Sequence, residues 1–85
     1  MEPDEIQRKI ESAIPGARAQ VMGDNDHFSA VVVASAFEGK TRIQQHQMVY
    51  SAVRDEMASQ AIHALSLKTS TPAEAMDHPG GQEQR

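Results

Sequence analysis

The strongest constraint on the fold is the segment FSAVVVASA, residues 28–36, whose three consecutive valines predict a β-strand. A weaker strand is predicted for residues 17–22, ARAQVM. The polar cluster GDNDH lies between the two and is typical of a turn. The simplest connection of these segments is therefore an antiparallel hairpin with a loop of about five residues.

A third strand is predicted for residues 62–69, where the residues alternate as they do in a strand. Because successive side chains point to opposite faces, this places His63 on the same side as Leu65 and Leu67, facing the core. A histidine there is open to three interpretations: a packed core residue, a pH-sensitive group or a metal ligand.

Three helices are predicted. Residues 4–14 carry an apolar stripe and end at Pro15-Gly16. A second helix covers residues 41–58, opened by Thr41 with Gln44 as a capping box. A short helix over 72–77 follows a second capping box. The apolar stripe predicted for the second helix consists of Ile43, His46, Val49, Tyr50, Val53 and Met57.

The element order α-β-β-α-β-α predicts an α+β domain with a three-stranded mixed sheet. Its helices are expected on one face, with the other face partly exposed. The domain is expected to span residues 1–77. Residues 78–85, HPGGQEQR, have no apolar side chain and are predicted to form a disordered tail.

Composition excludes several classes of function. The 85 residues include no cysteine, so disulfides and thiol catalysis are excluded. The sequence lacks an apolar run long enough for a transmembrane helix and begins unlike a secretory signal, which predicts a soluble cytoplasmic protein. The net charge of −4 disfavours non-specific nucleic-acid binding.

Histidines are the best candidates for chemistry. His46 lies on the predicted apolar stripe, so a structural role is the default. His27 ends the first loop and His63 begins the third strand, and spacing alone favours ordinary polar edge residues at both positions. The two could meet if that strand lies beside the hairpin. No nucleophile–base–orienter set is recognisable, so no enzymatic activity is expected. The scattered basic residues include Lys40, Arg42 and Lys68, and they are interpreted mainly as side chains exposed to solvent.

Several segments together resemble the BolA family. AVVVASAFEGKTRIQQHQMVYSAV, residues 30–53, is similar to the family's central stretch of Val-rich strand, Phe-x-Gly-Lys, and a helix with a His and a Val-Tyr pair. IHALSLKTSTPAEA, residues 62–75, is similar to the family's ending of Ile-His-Ala, Lys-Thr and Thr-Pro. The resemblance covers about residues 4–75 and implies a fold with class II KH-like topology.

The resemblance also implies a partner and a cofactor. Family members act with monothiol glutaredoxins, and the two proteins together hold a 2Fe-2S cluster to which the glutaredoxin Cys and glutathione bring sulfur ligands. The resemblance makes His63 the ligand from the Ile-His-Ala segment. A second ligand comes from the loop between the first two strands, where this chain has His27, or Asp24 or Asn25 further upstream.

The resemblance thus predicts a non-enzymatic adaptor in iron–sulfur cluster assembly, transfer or iron sensing. No cofactor is expected on the chain alone, which is expected to be a monomer or weak homodimer. The alternative is a small DNA-binding regulator of transcription or stress response that uses Lys40, Arg42 and Lys68.

Overall fold

The computed structural model describes residues 1–24 and 27–77. The order of elements agrees with the sequence prediction, except that two helices stand where one was expected. The predicted tail, residues 78–85, lies outside the described residues. The elements are helix α1 (Pro3–Ala13), strands β1 (Arg18–Asp24) and β2 (His27–Val33), a 3-10 turn (Ser35–Phe37), helices α2 (Arg42–Ala52) and α3 (Arg54–Ala58), strand β3 (Ala64–Ser70) and helix α4 (Pro72–Asp77).

The three strands form one mixed sheet in the order β1-β2-β3. β1 and β2 form the predicted antiparallel hairpin, but the strands run to Asp24 and His27, so the predicted loop of about five residues is wrong and His27 belongs to β2. β3 lies parallel to β2 on its other side. The Val-rich segment is therefore the central strand. Because β2 and β3 are parallel, their first residues, His27 and Ala64, lie opposite each other at one end of the sheet.

One face of the sheet packs against the helices and the other is open, as predicted. Along β2 the side chains of Phe28, Ala30 and Val32 are buried, whereas those of Ser29 and Val31 are exposed. This alternation follows from the two-residue period of a strand. The buried apolar side chains form one core: Ile6, Ile10, Ile14, Ala19, Phe28, Ala30, Val32, Ala34, Phe37, Val49, Val53, Ile62 and Leu65.

Helix α1 packs its apolar stripe, including Ile6 and Ile10, into this core. Pro3 is the first helical residue, and the Glu5 carboxylate accepts a hydrogen bond from the backbone N–H of Glu2, which caps the helix. The carboxylate of Glu11 accepts a 2.9 Å hydrogen bond from the backbone N–H of Ala19. Glu11 therefore satisfies a donor on the outer edge of β1, where no neighbouring strand is available.

The predicted second helix, residues 41–58, is interrupted at Val53, whose φ of −121° and ψ of 26° are not helical. The side chain of Val53 is fully buried, so the break redirects the chain without removing this residue from the core. The capping box of Thr41 and Gln44 is confirmed by both of its hydrogen bonds. Thr71 and Glu74 form the second predicted box at the start of α4.

The predicted apolar stripe of α2 is wrong in part. Val49 is buried, but Ile43 is 71% exposed and Gln45 is buried instead. The Gln45 amide donates hydrogen bonds to the carbonyl oxygens of Phe37 and Lys40 in the preceding loop. Burial of this polar side chain is therefore accounted for by the backbone groups that it satisfies.

Helices α1 and α3 are joined by an ion pair in which Lys9 Nζ lies 2.9 Å from the Glu56 carboxylate. The hydrogen bond to Glu56 raises the pKa of Lys9. The hydrogen bond from Lys9 lowers the pKa of Glu56, and partial burial of the carboxyl opposes this shift. Among the described residues, no helix combines the length and apolar character needed to cross a membrane.

Candidate metal site

Two of the predicted ligands lie side by side. The ring centroids of His27 and His63 are 5.3 Å apart, with an angle of 59° between the ring planes. His27 is the first residue of β2, and His63 immediately precedes Ala64, the residue that pairs with His27. The parallel pairing of β2 and β3 is therefore what brings the two imidazoles to the same end of the sheet.

The environment predicted for His63 is wrong, because its side chain is exposed. β3 begins at Ala64, so the strand alternation that places Leu65 toward the core does not extend back to His63. The preceding Ile62 is buried, and its backbone N–H donates a hydrogen bond to the carbonyl oxygen of Glu56. His63, which directly follows the buried Ile62, is turned toward solvent, where another molecule can reach it.

Gly23 allows β1 to pair closely beside His27. Its φ is +131°, a value that favours glycine, and it pairs with Phe28. A Cβ atom at this position would collide with the backbone carbonyl of His27 and come within 2.9 Å of Phe28 Cα. This requirement was not predicted from the sequence, although the glycine in the turn segment that precedes His27 was a signal for it.

The geometry of the pair fits two imidazoles on one ion. With a metal–nitrogen distance of about 2.0 Å and tetrahedral angles, two such rings have centroids about 5 Å apart. The observed separation is 5.3 Å. Within the described residues, no three His, Asp or Glu side chains come together as a metal-binding group. A four-coordinate ion held by this pair would therefore take its remaining ligands from outside the described part of the chain.

The other predicted site residues are not part of this pair. Lys40 and Arg42 are exposed where the loop enters α2, and Lys68 is exposed in the middle of β3. Their use in DNA binding stays a prediction. The side chains of Asp24 and Asn25, the alternative second ligands, lie outside the described part of the chain.

Comparison with known proteins identifies the family. The model of the family described as BolA-like protein matches residues 3–74, the range that contains both histidines. The chain belongs to the BolA-like family. The family resemblance expected from the sequence is thereby confirmed, and the small α+β fold agrees with that of solved BolA structures.

BolA-like relatives occur among both bacterial and eukaryotic proteins. The chain is 38% identical over 74 residues to the acid stress protein IbaG of Escherichia coli K12, covering 87% of this chain and 88% of that one. It is 34% identical over 79 residues to BolA-like protein 1 of Mus musculus, covering 93% of this chain and 55% of that longer one.

Solved BolA structures match closely. A bolA homologue from Coxiella burnetii superimposes with a TM-score of 0.81 at 42% identity, covering 89% of this chain and 97% of that chain. The BolA domain of SufE1 from Arabidopsis thaliana gives a TM-score of 0.75 at 30% identity, with 85% and 93% coverage.

Proposed function

We propose that this BolA-like chain is a non-enzymatic adaptor in iron–sulfur cluster handling that works with a monothiol glutaredoxin. The observation that carries the proposal is the 5.3 Å separation of the His27 and His63 rings at an exposed end of the sheet. The relatives include a SufE-like protein and the yeast protein Fra2, and homologues of this kind hint at iron–sulfur roles.

In this proposal each molecule supplies part of the ligand set. His63 and His27 provide two imidazole nitrogens, and a glutaredoxin cysteine with glutathione provides thiolates to a bridging 2Fe-2S cluster. Neutral imidazole is a good ligand for iron. Both imidazoles are exposed, so the pair can reach a cluster that a second protein carries on its surface.

Imidazole ligation favours transfer or sensing over storage. Replacement of thiolate by imidazole raises the reduction potential of a cluster. It also makes the cluster sensitive to acid, because only the unprotonated ring binds metal. Both effects follow from the residue type and do not require a nucleophile or a general base, which is why an adaptor is proposed and not an enzyme.

The proposal is tested by reconstitution. The full chain is mixed with a monothiol glutaredoxin, iron, sulfide and glutathione, and visible absorption and circular dichroism are recorded. We expect a spectrum that differs from that of the glutaredoxin alone. His63→Ala should abolish this difference, and His27→Ala should reduce or shift it.

Ser66→Ala is a matched control, because Ser66 is an exposed residue of the strand that follows His63. Its complex should give the wild-type spectrum. If the His63→Ala and wild-type complexes have identical spectra and cluster lifetimes, His63 is not a ligand and the proposed role of the pair is wrong.

A further inference from the structure

The side of the sheet that the helices leave uncovered carries a distinct set of side chains. Beyond the row of Asp24, His27 and Ala64 at the end of the sheet that holds the histidine pair, strand pairing places them in three rows: Arg18 with Val33 and Ser70, Gln20 with Val31 and Lys68, and Met22 with Ser29 and Ser66. These nine residues are called the open face below.

Two large apolar side chains of the open face are exposed. Val31, on the central strand, is 42% exposed, and Met22, on the neighbouring edge strand, is 71% exposed. Between them lie only small or uncharged side chains, such as Ser29. A partner that covers Val31 and Met22 would gain from removing their apolar surface from water.

The charged side chains of the open face are basic, whereas the chain as a whole is acidic. The sequence has 12 acidic and 8 basic residues, yet in these three rows the two charged residues, Arg18 and Lys68, are both basic. Arg18 lies on β1 and Lys68 on β3, so the two cations flank Val31 from opposite edge strands. This arrangement is complementary to a ligand with an apolar stripe between acidic flanks.

The dimensions of the open face suit a single helix. Three strands of seven residues span about 10 Å between the outer strand axes and about 20 Å along them. A helix with its side chains is about 10 Å wide, so about 14 residues would cover this length. These dimensions give an area on the order of 200 Å². A stable dimer buries about 800 Å² per partner, so a second copy of the chain is a poor fit.

We propose that the open face binds an amphipathic helix of a partner protein, with its apolar stripe on Val31 and Met22 and acidic residues beside Arg18 and Lys68. Such a small contact gives weak, reversible binding. This binding requires no cluster, so it can fail or succeed independently of the proposed function.

The test uses three synthetic peptides of about 18 residues. One is a helix with a leucine stripe flanked by glutamates, and the second has lysines in place of the glutamates. The third contains the same residues as the first in scrambled order, so that its leucines do not form a stripe. Each is titrated into the isotopically labelled full chain, and backbone amide shifts are followed by NMR. We expect only the acidic helix to bind, with the largest shifts at Val31, Ser29 and Lys68.

Variants separate charge from apolar contact. Val31→Asp should weaken binding by more than about tenfold, since it removes the centre of the contact. Lys68→Glu, which leaves Val31 and Met22 intact, should weaken it by about threefold to tenfold and more strongly at low salt. Arg54→Glu makes the same charge change at the start of α3 and should have no effect.

Three kinds of result would each overturn the proposal. The first is a failed peptide comparison, with either equal binding of the lysine-flanked helix or no binding of the acidic helix at about 1 mM. Another is a set of shifts confined to helices α1 and α2. The third is concentration-dependent shifts on the open face without peptide, which would identify a second copy of the chain as the occupant.

Discussion

The hydroxyl of Thr69 donates a 2.7 Å hydrogen bond to Oε1 of Gln45, joining β3 to α2 inside the core. The Gln45 amide nitrogen donates to the carbonyl oxygens of Phe37 and Lys40, so one side chain ties together a strand, a helix and a loop. Since both partners are buried, loss of either leaves polar groups without water or protein partners.

Gln45→Leu should destabilise the fold by about 1–3 kcal/mol, because the Thr69 hydroxyl and the Lys40 carbonyl lose the partner that Gln45 provides, while the Phe37 carbonyl keeps only the Lys40 N–H. Gln47→Leu, on the exposed side of the same helix, should change the free energy of unfolding by less than about 0.5 kcal/mol. Urea unfolding of both variants measures the difference. Equal stability of the two would show that the Gln45 bonds contribute nothing net.

The caps, the strands and their order were predictable because they depend on neighbours in sequence. Thr41 and Gln44 indicate the start of a helix because the hydrogen bonds of a capping box join residues only three positions apart. The burial of Gln45 was not predictable, because the oxygen atoms that satisfy its amide come from a loop whose path is fixed by the whole fold. Likewise the exposure of His63 depends on where β3 begins, a boundary that the hydrogen bond between Ile62 and Glu56 decides.

The meeting of His27 and His63 was only half predictable. Each histidine was recognised from its position beside a strand, but they meet because β3 pairs parallel to β2 in one register. A shift of that register would carry His63 along the edge of β2 and separate the rings. Residues 36 positions apart therefore form a pair that no local spacing pattern indicates.

The ion pair of Lys9 and Glu56 should give a pH-dependent contribution to stability. The pKa of Glu56 is lower in the folded chain than in the unfolded one, so its contribution is present at neutral pH and is lost as the pH falls through the folded value. The effect should be small and salt-sensitive, since Lys9 is 47% exposed. Thermal melts of wild type and Glu56→Gln should converge at acid pH, whereas Glu38→Gln should match wild type throughout.

Gly23→Ala should destabilise the hairpin and separate the histidines. The position combines a φ of +131° with a close approach to the His27 carbonyl, so a Cβ atom introduces strain and a collision. We expect a loss of about 2–4 kcal/mol. Gly39→Ala is the matched control: its φ is also positive, at +78°, but nothing lies within 4 Å of the added atom. A melting temperature lowered equally by both substitutions would mean that backbone conformation alone accounts for the effect.

His46 should be structural. Its Nε2 atom is buried, and within the described part of the chain it has no hydrogen-bond partner. His46→Ala removes packed atoms and should destabilise the fold by about 1–3 kcal/mol. His46→Leu replaces the unsatisfied nitrogen with carbon at similar volume, so it should lose less. A stable His46→Ala variant that no longer binds glutaredoxin would instead assign His46 to the interface.

His63→Ala should leave the fold intact, which separates its role from that of its neighbours. The side chain is exposed and precedes β3, so its removal leaves no cavity. The free energy of unfolding should change by less than about 0.5 kcal/mol. Leu65→Ala, two residues later and only 8% exposed, should cost about 2–5 kcal/mol. Urea unfolding of both variants in the absence of glutaredoxin measures this contrast. A large loss of stability in His63→Ala would mean that the imidazole supports the turn into β3. Loss of the cluster in this variant would then reflect a folding defect and not a missing ligand.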